Sequence, residues 1–254
     1  MRAQDHPSER VARRLENMER RHAALGEEFD SIEHARSTGR AHVVCIGDCH
    51  VAVLAKGVQP PNAPPLMPHV WLDPCSLRTA GARGLKNPES GSGALLIFQR
   101  RIALAQTWQP LIFMVGEADT GFFIFDRAAK RGESHEELMH QSIDIFLAFL
   151  RDVQAQGFEQ LFVLSVPATG GDRHIERGGT FPQKERTELT QRYNDELERR
   201  ADFYTYVDIT TPTLDPATGL LAPVFLDPDD PDHLAPEPLG PVVAERLGPL
   251  LSPP

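Results

Sequence analysis

Cysteines, membrane spans and phosphate-binding motifs are all scarce or absent in this sequence, and each scarcity excludes a class of protein. Only 3 of the 254 residues are cysteine, an odd and small number that does not predict a disulfide framework. We therefore expect reduced thiols and a cytoplasmic protein. No apolar run approaches the roughly 20 residues of a membrane-spanning helix, and the polar N-terminus lacks the apolar centre of a signal peptide. No glycine-rich nucleotide motif of the Walker or paired-glycine type occurs.

Basic residues are also too few for a nucleic-acid-binding protein. The formal net charge is −10, whereas a surface that binds phosphate backbones needs a basic excess. What remains is an ordinary globular composition, with 41% hydrophobic and 24% charged residues. The length suits one large domain with an appendage.

The N-terminal segment differs from the rest of the chain. A thin apolar stripe at helical spacing runs through residues 8–36 among many charges, which predicts an amphipathic helix ahead of the first strand. We therefore divide the chain into an N-terminal helical extension, residues 1–38, and an α/β domain, residues 39–254. The stripe suits packing across the domain or pairing with a second copy, so a homodimer through this helix is one of two arrangements that stay open.

Apolar runs of strand length alternate with amphipathic helical segments along the remainder. The predicted strands are 43–46, 69–72, 111–115, 161–166 and 203–209, with a short edge strand at 220–225. The predicted helices are 51–55, 94–107, 134–156, 183–201 and 241–251, and residues 73–93 and 168–181 are predicted as loops. Continuous apolar strands that alternate with helices are typical of a parallel sheet buried on both faces. The sequence therefore predicts a three-layer αβα sandwich around about five strands.

Reactive side chains follow the ends of the predicted strands. Cys49 and His50 come directly after the first strand, and Glu117 and Asp119 follow a later one. The ends of parallel strands meet at one edge of an open sheet, where ligands bind, so these groups are expected to converge with the Asp230–His233 segment. In that arrangement Cys49 would attack a carbonyl carbon, His233 would take its proton, and Asp230 would hold the imidazole. A thiol near a protonated histidine and a helix start has a depressed pKa.

Each of these residues also has a simpler interpretation. Cys45 lies inside a strand and is expected to be a core residue, and Cys75 is expected to be structural or exposed. The sequence around His233 and its neighbouring aspartates is equally typical of a solvated acidic turn. The polar run Arg173, His174, Glu176 and Arg177 could bind an anionic substrate, but such runs are usually loop surface.

Zinc is disfavoured as a resident metal. The candidate ligands are His42, Cys45, Cys49 and His50, but a turn separates Cys45 from Cys49 and no Cys-x-x-Cys pair occurs. We therefore predict neither a metal nor a cofactor.

Three short blocks, taken in order, carry a resemblance to a known superfamily. Gly47-Asp48-Cys49 resembles a Gly-Asp-Ser block, Gly116-Glu117-Ala118-Asp119 resembles Gly-x-Asn-Asp, and Asp230 to Leu234 resembles Asp-x-x-His before a terminal helix. From about residue 42 to residue 251 the chain resembles the SGNH (GDSL-type) hydrolase superfamily. The glycine loop at residues 81–88 resembles the superfamily's second block, a glycine loop that supplies an oxyanion donor, but more loosely. The resemblance does not decide whether Gly81 or Gly84 is that donor.

The resemblance implies a fold, an activity and a set of roles. Members are flavodoxin-like sandwiches that cleave or transfer acyl groups on esters, lipids and sugars. It implies Cys49 as nucleophile, His233 as base and Asp230 as orienting acid, with oxyanion donors from the backbone N–H of Cys49 and of Gly81 or Gly84.

The chain departs from the superfamily pattern at two positions. Cys49 replaces the serine and Ala118 replaces the oxyanion asparagine. A cysteine can still form an acyl-enzyme, as a thioester. The Gly-Glu-x-Asp block and His50 resemble a polysaccharide-associated branch, in which Glu117 takes part of the missing asparagine's place. Asp48, His50 and Asp119 are then expected beside Glu117 in oxyanion or substrate binding.

Three functions stay open at the level of sequence. The first is an acyl hydrolase or acyltransferase that uses a Cys49 thioester on a small-molecule or carbohydrate acyl substrate. The second is a catalytically degenerate relative that binds a carbohydrate or acylated ligand. The third is a structural or assembly protein with a vestigial site.

Overall fold

The computed structural model describes residues 35, 37–78, 80–175, 179–230 and 233–251. The predicted N-terminal helix over 8–36 lies outside these residues except for Ala35, as does nearly all of the predicted extension. The described strands are β1 Ala41–Gly47, β2 Val70–Ser76, β3 Leu111–Met114, β4 Leu161–Leu164, β5 Arg173–Ile175, β6 Gly179–Phe181 and β7 Thr205–Val207. The described α-helices are α1 His50–Val58, α2 Ala94–Ile102, α3 Ile124–Arg131, α4 His135–Ala155, α5 Gln183–Arg199 and α6 Pro236–Leu251.

Five strands form one parallel sheet in the order β2-β1-β3-β4-β7. Successive residues of β1 point to opposite faces, so Val44 and Ile46 enter one apolar core while Val43 and Cys45 enter the other. The first core is covered by α2, α3, α4 and α5, and the second by α1 and α6. The predicted αβα sandwich around a five-stranded parallel sheet is therefore confirmed.

Two segments outside the five-stranded sheet differ from their predicted structures. Residues 168–181, predicted as a loop, contain the antiparallel hairpin β5–β6. The predicted edge strand at 220–225 is only an isolated bridge between Leu214 and Leu221 followed by a 3-10 turn, since Pro223 has no N–H for a strand ladder.

Two helices also differ from their predicted lengths. The predicted helix 94–107 ends at Ile102, and Leu104, beyond that end, is 55% exposed. The final helix begins at Pro236 rather than at residue 241, and Pro241 lies inside it. Packing of its first turns against α1 outweighs the poor helix propensity of proline.

The loop predicted over 73–93 is more ordered than expected. β2 continues through Asp73 to Ser76, and a 3-10 helix spans Ala82–Lys86. Asp73 is tolerated in the strand because its carboxylate is paired with His42 (2.6 Å) and Arg101.

Helices α1 and α6 pack unusually closely where two glycines meet. A Cβ on Gly57 would lie 2.4 Å from the carbonyl oxygen of Pro236, and one on Gly240 would lie 2.1 Å from the carbonyl oxygen of Gly57. Only glycine allows this backbone contact. The contact fixes the start of α6, and therefore the segment that precedes it, against the helix that begins at His50.

None of the helices within the described ranges is long and apolar enough to cross a membrane.

Candidate active site

The turn after β1 places Cys49 at the start of α1. A Cβ on Gly47 would lie 2.0 Å from the carbonyl oxygen of Met114, so only glycine fits where β1 passes the end of β3. The N–H of Asp48 donates to that same oxygen (3.2 Å). Cys49 follows as the N-cap residue of α1 and is only partly buried.

His50 lies beneath this thiol and is held by Asp48. The Asp48 Oδ1 accepts from the backbone N–H of His50 (3.0 Å) and lies 3.3 Å from its Nδ1. Nδ1 is in turn 4.0 Å from Cys49 Sγ. Both Asp48 and His50 are only 1% exposed, so this pair contacts the thiol but offers little surface to a substrate.

His233 approaches the same thiol from the segment before α6. The Nδ1 of His233 lies 2.8 Å from Asp230 Oδ2, and the backbone N–H of His233 donates to the Asp230 carbonyl (2.9 Å). A bridge between Leu226 and Leu234 closes this segment into a tight loop. The His233 ring centroid is 5.0 Å from that of His50, and the side chain is 17% exposed.

The two imidazoles favour the thiolate form of Cys49. Burial acts to raise the pKa of Cys49, but hydrogen bonds with His233 and then His50 outweigh it, so the pKa is lowered from 9.0. The hydrogen bond with Cys49 is also the main reason that the pKa of His233 is raised, with Asp230 adding to it. Burial opposes charge on His50, yet its contacts with Asp48 and Cys49 raise its pKa. A thiolate–imidazolium pair is the form that these shifts favour.

Glu117 and Asp119 follow β3 and are buried beside the site. Asp119 has no exposed surface, and its Oδ2 accepts from the N–H of Ala82 (2.7 Å). Burial raises its pKa to about 7, against the effect of the Ala82 hydrogen bond, and the charges of Asp48 and Glu117 raise it further. Asp119 thus ties the segment after β3 to the loop after β2. Glu117 is 6% exposed, and its charge helps to raise the pKa of His50.

Gly81 and Gly84 have different environments in the loop after β2. Gly81 is buried, and a Cβ there would lie 3.1 Å from Asp119 Oδ2. Gly84 lies one turn later in the 3-10 helix, and its N–H already donates to the Gly81 carbonyl (3.0 Å). Ala118 supplies no side-chain donor. Of the two glycines, Gly84 therefore has its N–H already engaged within the loop.

Three potential metal donors also converge here. A carboxylate oxygen of Asp48, the sulfur of Cys49 and a ring nitrogen of His50 lie within 4.8 Å of one another. Such a set matches the donor types that zinc takes, although the same atoms are engaged with one another as described above.

The structure brings together most of the residues that the sequence singled out. Asp48, Cys49, His50, Asp230 and His233 form one cluster, and Asp119 lies below the surface. The polar run at 173–177 falls on β5 and on residues beyond the described ranges, and its side chains are outside the description.

Sequence reasoning did not anticipate that His50 would be a buried partner of the thiol rather than a substrate contact. An aspartate two residues before the first helical residue is a signal for this, because its carboxylate can accept that residue's N–H.

No protein-family model and no curated protein sequence matches this chain. Its fold is that of the SGNH (GDSL-type) hydrolases, α/β sandwiches with a parallel sheet.

Three solved structures illustrate this likeness. A protein of Bacteroides fragilis that is provisionally named an acylhydrolase shares 10% identity and a TM-score of 0.58, over 86% of this chain and 92% of that chain. A GDSL-like lipase of Bacteroides thetaiotaomicron shares 12% identity and a TM-score of 0.56, over 85% and 89%. The inhibitor-bound aryl esterase of M. smegmatis shares 14% identity and a TM-score of 0.51, over 81% and 97%. At these identities the likeness establishes the fold.

Proposed function

We propose that this protein is an acyl hydrolase or acyltransferase that works through a thioester on Cys49. One observation carries the proposal: a partly buried thiol contacts two neighbouring imidazoles, each held by its own aspartate. The neighbouring folds include esterases, lipases and provisionally named acylhydrolases, which is consistent with this class of reaction.

The difference in exposure between the two histidines separates their roles. His233 is 17% exposed and can reach the leaving group of a bound ester, whereas His50 is 1% exposed. His233 is therefore assigned as the general base and acid, with Asp230 fixing its ring. His50, fixed by Asp48, acts as a positioning residue that stabilises the thiolate.

The reaction proceeds in two balanced steps. In the first, the Cys49 thiolate forms a bond to the acyl carbon, the bond to the alcohol oxygen breaks, and His233 gives its proton to that oxygen. In the second, His233 takes a proton from water or an acceptor hydroxyl, whose oxygen displaces the Cys49 sulfur. Thioesters react readily with such nucleophiles, so the same intermediate serves hydrolysis and transfer.

The oxyanion of each tetrahedral intermediate would meet backbone donors. The N–H of Cys49 at the start of α1 and the N–H of Gly81 are assigned to this role. Ala118 provides no third donor, and a lost oxyanion donor raises the barrier by about 3–4 kcal/mol. We therefore expect slower turnover than a complete three-donor site would give.

The experiment is intact-protein mass spectrometry after incubation with a panel of p-nitrophenyl esters of increasing chain length. We expect one acyl adduct per chain, mapped to Cys49, and release of p-nitrophenol above the uncatalysed rate. Cys49→Ala should abolish both signals, and His233→Ala should abolish turnover. Cys45→Ala is the matched control, since that thiol is buried in β1, and it should keep both signals.

A second function is favoured by the missing donor at Ala118, namely a non-catalytic protein that binds a carbohydrate or acylated ligand in this cleft. It predicts no adduct and no turnover with any ester, together with ligand binding that survives Cys49→Ala. Full activity in Cys49→Ala would exclude the thioester mechanism.

A further inference from the structure

A cavity of about 670 Å³ is lined in part by Gly81, the glycine that the proposed function uses as an oxyanion donor. One wall is the loop after β2, which carries Gly81, Arg83 and Lys86, and the other is α3 after β3, with Arg127. The volume lies in the range of pockets that hold small molecules or cofactors. None of the roles assigned so far uses this cavity beyond the amide of Gly81.

The cavity is at the same sheet edge as Cys49. Strand β1 lies between β2 and β3, so the turn that carries Cys49 is flanked by the two segments that build the cavity. The loop after β2 is joined to that turn, because the N–H of Leu77 donates to the Gly47 carbonyl (2.9 Å) and the Ser76 hydroxyl to the Asp48 carbonyl (3.3 Å). The cavity lies on the face covered by α2–α5, whereas His233 precedes α6 on the other face.

The lining is strongly basic in a chain whose net charge is −10. The cationic side chains of the lining are Arg83, Lys86, Arg127, Lys130 and Arg131. Two carboxylates offset part of this charge: Glu133 pairs with Arg127 (2.7 Å) and Arg131 (3.9 Å), and Asp126 with Lys130 (2.8 Å). Within the described ranges no ion pair is found for Arg83 or Lys86.

This excess of positive charge suits phosphate better than a single carboxylate. The cationic side chains outnumber these two carboxylates by three, so the cavity favours an anion that carries more than one negative charge. Guanidinium groups bind phosphate oxygens through two parallel hydrogen bonds, and Ser90 and Ser92 add hydroxyl groups to the lining.

We propose that this cavity binds the phosphate groups of an acyl thioester donor of the acyl-coenzyme A type, whose acyl carbon is delivered to Cys49. Naming the ligand an acyl donor rests on the function proposed above, whereas phosphate binding does not. A thioester suits a cysteine nucleophile, because one carbon–sulfur bond forms as another breaks. The leaving thiolate takes its proton from His233, and no further reactant is needed for this step.

Phosphate binding is tested by titration calorimetry at low ionic strength with three probes: coenzyme A, ADP and inorganic pyrophosphate. Using the Cys49→Ala protein avoids disulfide exchange with coenzyme A. We expect coenzyme A and ADP to bind, and the double variant Arg83→Glu/Lys86→Glu to bind them at least about tenfold more weakly. Both side chains are exposed, and the Arg83→Gln/Lys86→Gln protein gives a milder second comparison.

The matched control is Lys56→Glu, an exposed charge reversal at the far end of α1, which should leave the affinities unchanged. Equal affinities in the cavity variant and this control, or no binding of any probe, would overturn the cavity assignment. Binding of pyrophosphate and ADP with no preference for coenzyme A would assign the cavity to a free phosphate compound and overturn the donor assignment.

Delivery to Cys49 is tested separately with the native protein and acetyl-coenzyme A. We expect an acetyl adduct on Cys49, with its rate of formation reduced at least about tenfold by Arg83→Glu/Lys86→Glu. Phosphate binding without this adduct would overturn the assignment of the ligand as an acyl donor. It would leave the cavity assigned as a phosphate-binding site. Adducts from p-nitrophenyl esters in the same protein would show that the proposed function itself had not failed.

Discussion

The pKa of the Cys49 thiol depends on three neighbouring charged or titratable side chains. His233 and His50 both lower its pKa, while Asp48 opposes them. The His233 contact is the larger of the two hydrogen-bonding contributions, so removing that imidazole should return the thiol toward the behaviour of an ordinary cysteine.

Alkylation by iodoacetamide measured against pH checks this effect. In the native protein the rate should be half-maximal below pH 9.0, since the thiolate is the reactive form and the pKa of Cys49 is lowered. In His233→Ala the profile should move to higher pH. His69→Ala, which removes an exposed histidine, is the control and should leave the profile in place. Superimposed profiles for all three proteins would show that His233 does not act on the thiol.

The raised pKa of Asp119 predicts that the stability of the fold falls as the pH rises toward neutrality. Burial raises its pKa from 3.8 to about 7, so between these values the folded protein binds a proton that the unfolded chain has released. The stabilisation that this proton gives is complete below pH 3.8 and is lost as the pH rises through about 7.

Urea unfolding of Asp119→Asn at several pH values between 5 and 8 tests this. Asparagine keeps an oxygen for the Ala82 N–H but carries no charge. We expect the variant to gain stability relative to the native protein as the pH rises, by the order of 2 kcal/mol between pH 5 and 8. A constant difference across this range would mean that Asp119 is ionised throughout.

At the scale of elements, the crossing of α1 and α6 at Gly57 and Gly240 controls where His233 can lie. A methyl group on Gly240 would meet the Gly57 carbonyl oxygen at 2.1 Å, and a backbone atom cannot rotate away. The start of α6 would have to move, and the loop carrying His233 would move with it.

We expect Gly240→Ala to lower the free energy of unfolding by about 1–3 kcal/mol and to slow the alkylation of Cys49 at pH 7. Gly248→Ala is a control on the same helix, because its new methyl would make only ordinary contact with Met67 (3.6 Å). Chemical denaturation and labelling rates measure both effects. Equal stabilities for the two variants would show that the helices tolerate a wider spacing.

A buried ion cluster joins β1, β2 and α2 at some distance from the site. Asp73 contacts both Arg101 and His42, and Gln109 lies 3.2 Å from His42 Nδ1. Arg101 is 5% exposed, so its removal would leave the Asp73 carboxylate buried and short of positive charge.

Arg101→Leu should therefore reduce stability by about 3–5 kcal/mol in a denaturation experiment. The double variant Asp73→Leu/Arg101→Leu should recover part of the loss, because no unpaired charge remains. Arg100→Ala, at the exposed neighbouring position, should change stability by less than about 1 kcal/mol. A double variant less stable than Arg101→Leu would show that packing, not charge, is the main contribution of this cluster.

At the scale of the whole molecule, the sheet was predictable from sequence because its strands are continuous apolar runs. The run Val43 to Ile46 has no polar position, and that pattern is typical of a strand covered on both faces. The irregular parts were not predictable, since their conformations depend on distant contacts. The strand character of Asp73 depends on Arg101, and the early start of α6 depends on packing against Gly57.

The candidate site was only partly predictable from sequence, because its arrangement also depends on contacts between distant residues. The order of short blocks pointed to Cys49, His233 and Asp230, whereas the burial of His50 and Asp119 required the three-dimensional arrangement. The basic cavity was missed entirely, because Arg83 and Arg127 are separated in sequence and meet only through the order of β2, β1 and β3.

The predicted oligomer is also a property of the whole molecule. We expect the full chain to sediment as a dimer and the chain without residues 1–38 as a monomer, if the apolar stripe over 8–36 pairs two copies. Sedimentation equilibrium measures this directly. A monomeric full chain would assign that stripe to packing against its own domain.

The distribution of the three thiols has a consequence for how this protein must be handled. Cys45 points into one apolar core and Cys75 into the other, and both are 1% exposed, so Cys49 alone faces solvent. A thiolate in that position is prone to oxidation by peroxide to a sulfenic acid. No other cysteine of the same chain is accessible to resolve that product as a disulfide, so recovery of the thiol would depend on a reductant supplied from solution.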